Sequence, residues 1–358
     1  MLPRTINTMA STFGRAKRVK SVAILALVVA VVVFPLVQSP YRVFQGSMVG
    51  VYVVAIAGLA LIIGAAGQVT LGHSFFFAAG AFTSAWLIDE HGFNDLAAVP
   101  VAAVIALVLG WIFGIPALRL RGLYLTIVTL SLAVAVPPLA RRFESFTGGV
   151  GGRIIGPVEP PGWTGLASDQ WVFFQVSAVA SLVLIATYLV LRSPFGRAMR
   201  AVRDNEIAAA AGGIDVAKVK VRAFAAASMA AGIGGALYTM TVRFVAPDSF
   251  TMLLSIMMLA ALVVGGLRSL LGVVLAAVFL QYVPAWAGSV NQALSGLTFG
   301  VLLILLVTFL PLGLSGAVAA LWNRITTSRR GDNSNPHRHD TDRTMSASMV
   351  VNEAQTTK

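Results

Sequence analysis

Apolar residues run through this chain in long blocks, and charged residues collect in the gaps between them. A block of about 20 apolar residues is long enough to cross a bilayer as a helix. On that basis spans are expected at roughly 22–38, 48–66, 71–88, 97–118, 122–140, 170–191, 223–242, 252–267, 270–287 and 294–314. The expected fold is an all-α polytopic membrane protein with about ten transmembrane helices, within a range of about 8 to 11.

The charges orient these spans. Arg4, Arg15, Lys17, Arg18 and Lys20 precede the first block, and no acid occurs before Asp89. Basic flanks stay on the cytoplasmic side. No small-residue cleavage site follows Val22–Gln38, so this block reads as a span and not as a removed signal. The connections 67–70, 118–121, 192–222, 268–269 and the tail then face inward. They collect Arg119, Arg121, Arg192, Arg197, Arg200, Arg203, Lys218, Lys220, Arg222, Arg268, Arg324, Arg329 and Arg330. Asp89, Glu90 and Asp95 fall outside, with a balanced loop at 141–169; Arg42 and Arg141–Arg142 run against the rule. Both termini are expected in the cytoplasm, at the inner face of a cell membrane. The organisation is a basic N-terminus (1–20), a membrane domain (21–320) with a long cytoplasmic loop (192–222), and a polar tail (326–358). The tail lacks core-forming residues and reads as disordered, with His337 and His339 solvated.

Composition narrows the function. The chain is 57% hydrophobic and 11% charged, against about 45–50% and about 25% in soluble domains. Its net charge of +12 lies in short clusters between apolar blocks, which argues against a nucleic-acid partner. With no cysteine and four histidines, thiolate and histidine-rich metal sites are not expected. Within the spans as drawn, acids lie only at or near the ends, at Asp89, Asp169 and Asp248. Ion-coupled carriers and pumps usually keep ionisable groups inside the bilayer. Polar groups within the spans, such as Thr126, Thr129, Ser228, Ser255 and Gln281, read as helix-packing groups. Energy for uphill transport therefore comes from another subunit, and without a G-x-x-x-x-G-K-[ST] loop this chain does not hydrolyse ATP. No catalytic residue, cofactor or metal is expected. An intramembrane enzyme would need clustered acids and histidines, and Asp89-Glu90-His91 with Asp95 reads more simply as a solvated loop.

Three segments carry candidate chemistry. Gly64, Gly67, Gly72 and Gly80 interrupt an apolar stretch that also holds Gln68 and His73. Broken helices are tolerated at membrane depth where they line a cavity or are buried in protein, and they often mark a substrate site. Gly67, Gln68, Gly72 and His73 are therefore candidate pathway residues; the alternative is a turn between spans with His73 at an interface. A second cluster, Thr147–Gly152, reads either as a gate or docking surface or as a flexible connection. The third segment, Ser193–Phe224, is basic and predicts a helix over Phe195–Ala211, started by Pro194 and stopped at Gly212–Gly213. Met199, Val202, Glu206 and Ala209–Ala210 recur at helical steps, so one face is apolar or small. Such a helix can dock in a partner's groove. It could alternatively lie on lipid headgroups, a reading that Asp204, Glu206 and the alanine run weaken.

This third segment resembles the glutamate-alanine-alanine loop of ABC importer permeases, with Glu206-Ile207-Ala208-Ala209 followed by Gly212–Gly213. The chain resembles the LivM-type permeases of branched-chain amino-acid importers in particular, over roughly residues 45 to 310. The segments that carry this are Gly67-Gln68-Val69-Thr70-Leu71-Gly72-His73-Ser74, Leu118–Leu125, Thr147-Gly148-Gly149, Phe195–Glu206 and Phe250–Gly272. Two departures stand out. Ala210–Ala211 replaces a second acid, and Arg268 stands where the family often has glycine. The resemblance implies an ATP-driven importer that translocates leucine, isoleucine and valine. Its expected partners are two ABC ATPase subunits, a related second permease subunit and an extracytoplasmic binding protein. Arg200, Arg203, Asp204, Glu206, Ala209 and Gly213 would form the ATPase-coupling loop. The same motifs occur in permeases for urea and short-chain amides, and a secondary carrier working without an ATPase is a further alternative.

Overall fold

The computed structural model describes residues 29–118, 122–290, 300–301, 303–305, 308 and 313–317. The basic N-terminus, most of the first expected span, Arg119, Arg121, much of 294–314, and the tail with Arg324, Arg329, Arg330, His337 and His339 lie outside these residues. Nearly all the described residues belong to one compact unit ending at Ser315.

A first helix, α1, is described over 29–37. The second, α2 (Pro40–Leu59), begins with Pro40 at its first turn, where a missing N–H costs nothing. It continues as a π-helical turn, Ala60–Ala65. A non-helical segment then leads to α3 (His73–His91), which stops at Gly92 in the left-handed region. Asn94 caps α4 (Asp95–Ala117) by accepting from the Leu96 amide. Next come α5 (Leu123–Arg142), the short α6 (Glu144–Thr147) and α7 (Ser168–Arg192). The expected loop 192–222 contains α8 (Pro194–Asp204) and α9 (Glu206–Ala211). Then follow α10 (Val216–Val242), α11 (Met252–Gly265) and α12 (Leu270–Val290). The two-residue strands β1 (Arg153–Ile154) and β2 (Phe244–Val245) pair antiparallel in an otherwise all-α chain.

At the centre, α10 packs against α4, α3 and α2, while α2 also meets α7 and α12. Small residues permit these approaches. A Cβ on Gly80 would lie 2.0 Å from the Gly232 carbonyl oxygen, and one on Gly235 would lie 1.9 Å from that of Phe77. Lipid provides no hydrophobic drive between helices, so close backbone packing holds them together.

Among the described residues, six helical stretches are long and apolar enough to cross a membrane. They are Pro40–Ala65, Asp95–Pro116, Tyr124–Arg142, Ser168–Arg192, Val216–Val242 and Pro247–Gly265. Of the ten expected spans, 22–38 and 294–314 lie largely outside the described residues, and the two others that are not among these six differ for physical reasons. α3, expected as span 71–88, is packed against α10, α4 and α5 and buries polar as well as apolar residues, so it needs little greasy surface. The apolar part of α12, Leu270–Trp286, is shorter than a bilayer span. Two boundaries also moved. α10 starts at Val216, not 223, because Asp215 caps it by accepting from the Lys218 amide. The helix expected over Phe195–Ala211 is two helices, because Asn205 is extended and caps α9 through the Ile207 and Ala208 amides.

Candidate functional site

The π turn leaves a helix end that needs partners. The last carbonyls of a helix have no intrahelical donors, and the negative end of its dipole attracts a cation. Here the Arg203 guanidinium, from α8, donates to the Gly64 carbonyl at 2.8 Å and also pairs with Asp204 at 2.8 Å. Gly67 has φ +71°, and a Cβ there would lie 2.5 Å from Cγ of Arg203. Gly64 itself leaves no room for a side chain, since its Cβ would meet the Leu267 carbonyl oxygen at 2.1 Å. One arginine of the loop therefore reaches two glycines of the helix break, and one of those glycines also touches the turn between α11 and α12.

From Gly67 the chain runs along α5 before α3 begins. Thr126 Oγ1 donates to the Val69 carbonyl, and Thr129 Oγ1 accepts from the Leu71 amide. Gly72 packs on the Thr129 backbone, where a Cβ would lie 2.7 Å from its carbonyl oxygen. Ser255 Oγ of α11 accepts from the Ser74 amide at 2.8 Å. His73 is buried with Nε2 2.8 Å from the Ala55 carbonyl oxygen, which ties the start of α3 to α2. The Val69 carbonyl and the Leu71 and Ser74 amides around the break are thus satisfied by hydroxyls. The exception is the side chain of Gln68. It is 8% exposed, and its Nε2 has no partner among the described residues. Buried amides are rarely left so.

The apolar face of the loop turns inward. Met199, Val202 and Ala209 are buried against Leu61, Ala65, Ala66, Val219 and Ala223, so Ala209 anchors the loop to its own chain and is not available at its surface. Arg200 donates to the Leu191 carbonyl at 2.8 Å, and Glu206 pairs with Lys220 at 2.5 Å. Asp204 is exposed, and Gly213 has φ +81° with open space around its Cα. The exposed apolar group is Ile207, 81% accessible. The structure therefore brings Arg203 together with Gly67. It leaves Gly72 and His73 in the packing between α2, α3 and α5, and sets Gly213 apart at the tip.

At the far end of α3 and α5, Asp89, Glu90 and Asp95 do not form a merely solvated loop. Arg153, 8% exposed, pairs with Asp89 and, at 3.0 Å, with Glu90; Arg243 pairs with Asp95 at 2.7 Å. Gly148, Gly149 and Gly152 of the second glycine cluster all have positive φ, and a Cβ on Gly152 would lie 2.4 Å from the Val245 carbonyl oxygen. That cluster is a packed corner where β1 meets β2, not a loose connection. Sequence reading missed Arg153, Arg243, Lys220 and the hydroxyls of Thr126, Thr129 and Ser255 as ties. No sequence spacing signals these ties, since Arg153 and Arg243 stand 63 and 148 residues from Glu90 and Asp95.

The family described as "Branched-chain amino acid transport system / permease component" matches residues 42–307. The high-affinity branched-chain amino acid transport system permease protein LivM of Salmonella typhimurium is 32% identical over 317 residues, covering 81% of this chain and 74% of that protein. LivM of Escherichia coli matches with the same identity and coverage. A probable branched-chain amino acid transport permease protein LivM of Methanocaldococcus jannaschii is 27% identical over 242 residues, or 61% of this chain and 67% of that protein. No solved structure matches the chain significantly.

Proposed function

The chain belongs to the family of branched-chain amino acid transport system permease components, and from that premise we propose that it carries leucine, isoleucine and valine across a cell membrane as a subunit of an ATP-driven importer. It is a transport component and not itself a catalyst. Two ATPase subunits, a related second permease and an extracytoplasmic binding protein complete the assembly. About ten spans with both termini in the cytoplasm, as the positive-inside rule implies, put α8 and α9 on the ATPase side.

The observation that carries this reading is the Arg203 bridge from α8 to the Gly64 carbonyl at the helix break. ATP-driven closure of the ATPase pair pushes on α9, whose exposed Ile207 supplies an apolar knob for a groove. The push reaches α8 through their shared packing with Leu61 and Ala65, and Arg203 passes it to the broken helix. A shift there alters the extended segment Gly67–Gly72 and the unpaired Gln68 amide, which has spare capacity for a polar end of the substrate. Elements with two packed arrangements convert such a push into alternating access.

The test is ATP-dependent leucine uptake by proteoliposomes that hold the purified assembly and receive binding protein. Arg203→Ala is expected to keep the ATPase bound while uptake falls by about tenfold or more, because it removes an interaction transmitted between elements and leaves the docking surface intact. Ile207→Asp is expected to release the ATPase. Full uptake by both variants would overturn the coupling role, and uptake of urea or acetamide in place of leucine would overturn the substrate.

A further inference from the structure

A cleft of about 700 Å³ opens beside the helix break, walled by the end of α7, by α8, by the π turn and by the turn from α11 to α12. Five arginines line it: Arg192, Arg197, Arg200, Arg203 and Arg268. Among the described residues one carboxylate, Asp204, pairs with any of them. Three are already oriented. Arg200 is held by the Leu191 carbonyl, Arg203 by that of Gly64, and Arg192 stacks 4.3 Å from the Tyr188 ring centre. Arg197 and Arg268 are exposed and barely committed, Arg197 reaching only the Arg192 carbonyl at 3.5 Å. The remaining lining is largely apolar, with Leu267, Leu270, Leu271 and Ala60. α9, which carries the exposed Ile207, contributes no lining residue. The surface offered to a protein partner and this cleft are therefore built from different elements.

We propose that this cleft binds an anionic phospholipid, its phosphate among the arginines and the start of an acyl chain along Leu270 and Leu271. Guanidinium forks match phosphate oxygens in pairs, and basic pockets between helices at the cytoplasmic face suit lipid phosphates. A free phosphate would gain nothing from the leucine wall. The lipid would also meet Arg203, the side chain that holds the helix break, so the charge of the inner leaflet would bear on coupling. The inference rests on the chain spanning a membrane, not on its transporting amino acids, so failed leucine uptake leaves it standing.

The experiment incubates the full chain, purified in mild detergent, with equal amounts of phosphatidylglycerol and phosphatidylcholine, and measures the lipid that co-elutes on gel filtration. Phosphatidylglycerol is expected to exceed phosphatidylcholine by about tenfold, and Arg197→Gln with Arg268→Gln to remove that preference. High salt is expected to lower retention by the wild-type chain, an arm that decides the matter even if the variant fails to fold. Equal retention of the two lipids, no effect of salt, or an unchanged preference in a well-folded variant would overturn the proposal. Displacement of the lipid by inorganic phosphate alone would overturn the lipid as occupant and leave a phosphate site.

Discussion

Arg153 and Arg203 have similar surroundings and different consequences. Arg153 is buried among Asp89, Glu90 and the carbonyls of Ser145 and Phe146, so it clamps α3 to the glycine-rich corner at the far end of the molecule. Its carboxylate partners stay about half exposed, which limits the loss when the pair is broken. Arg153→Gln is expected to destabilise the chain by about 2 kcal/mol, read as a lower melting temperature in detergent, with leucine uptake per folded molecule little changed. An unaltered melting temperature would show that the clamp contributes nothing. Arg203 joins the loop to the helix break, so its loss is expected in coupling more than in stability. None of these pairings was legible in the sequence. The arginines, acids and Gly64 are 63 to 148 residues from their partners, and only folding brings such positions together. The candidates Gly67 and Arg203 were each named from local pattern, and their contact is a product of packing.

At the level of elements, α10 and the pair α8–α9 show what pattern can and cannot reveal. The glycine and alanine content of α10 signals close packing, and the backbone approaches of Gly232 and Gly235 bear that out. Gly235→Val would drive a side chain into the Phe77 carbonyl of α3, with no flexible atom there to yield. It is expected to abolish recovery of monodisperse protein from membranes, and normal recovery would refute the crossing. For the loop, helical spacing and the stop at Gly213 were readable, but the interruption at Asn205 was not. Asn205 suits a cap as well as it suits an exposed helical face, and tertiary packing of Met199 and Ala209 chose the cap. Asn205→Ala is expected to cost about 1 kcal/mol and to raise hydrogen exchange across 206–211 while α8 stays protected.

The whole molecule can be tested for sidedness because the chain contains no cysteine. Single cysteines at Trp163, 84% exposed, and at Ile207 should label from opposite faces of sealed vesicles. Labelling of both from one face would overturn the inward placement of α8 and α9. By itself the sequence determined that this is a helical membrane permease, because apolar block length, charge placement and short motifs are local properties that a bilayer reads directly. It also marked the broken helix and the loop 192–222 that we propose meets an ATPase. Only the tertiary structure decided that α3 lies wrapped in protein, that the loop turns its apolar face inward and leaves Ile207 out, and that Arg203 joins loop to break. Those outcomes depend on which surfaces fill one another's space and which distant carbonyl lacks a donor, and neither is a property of any one segment.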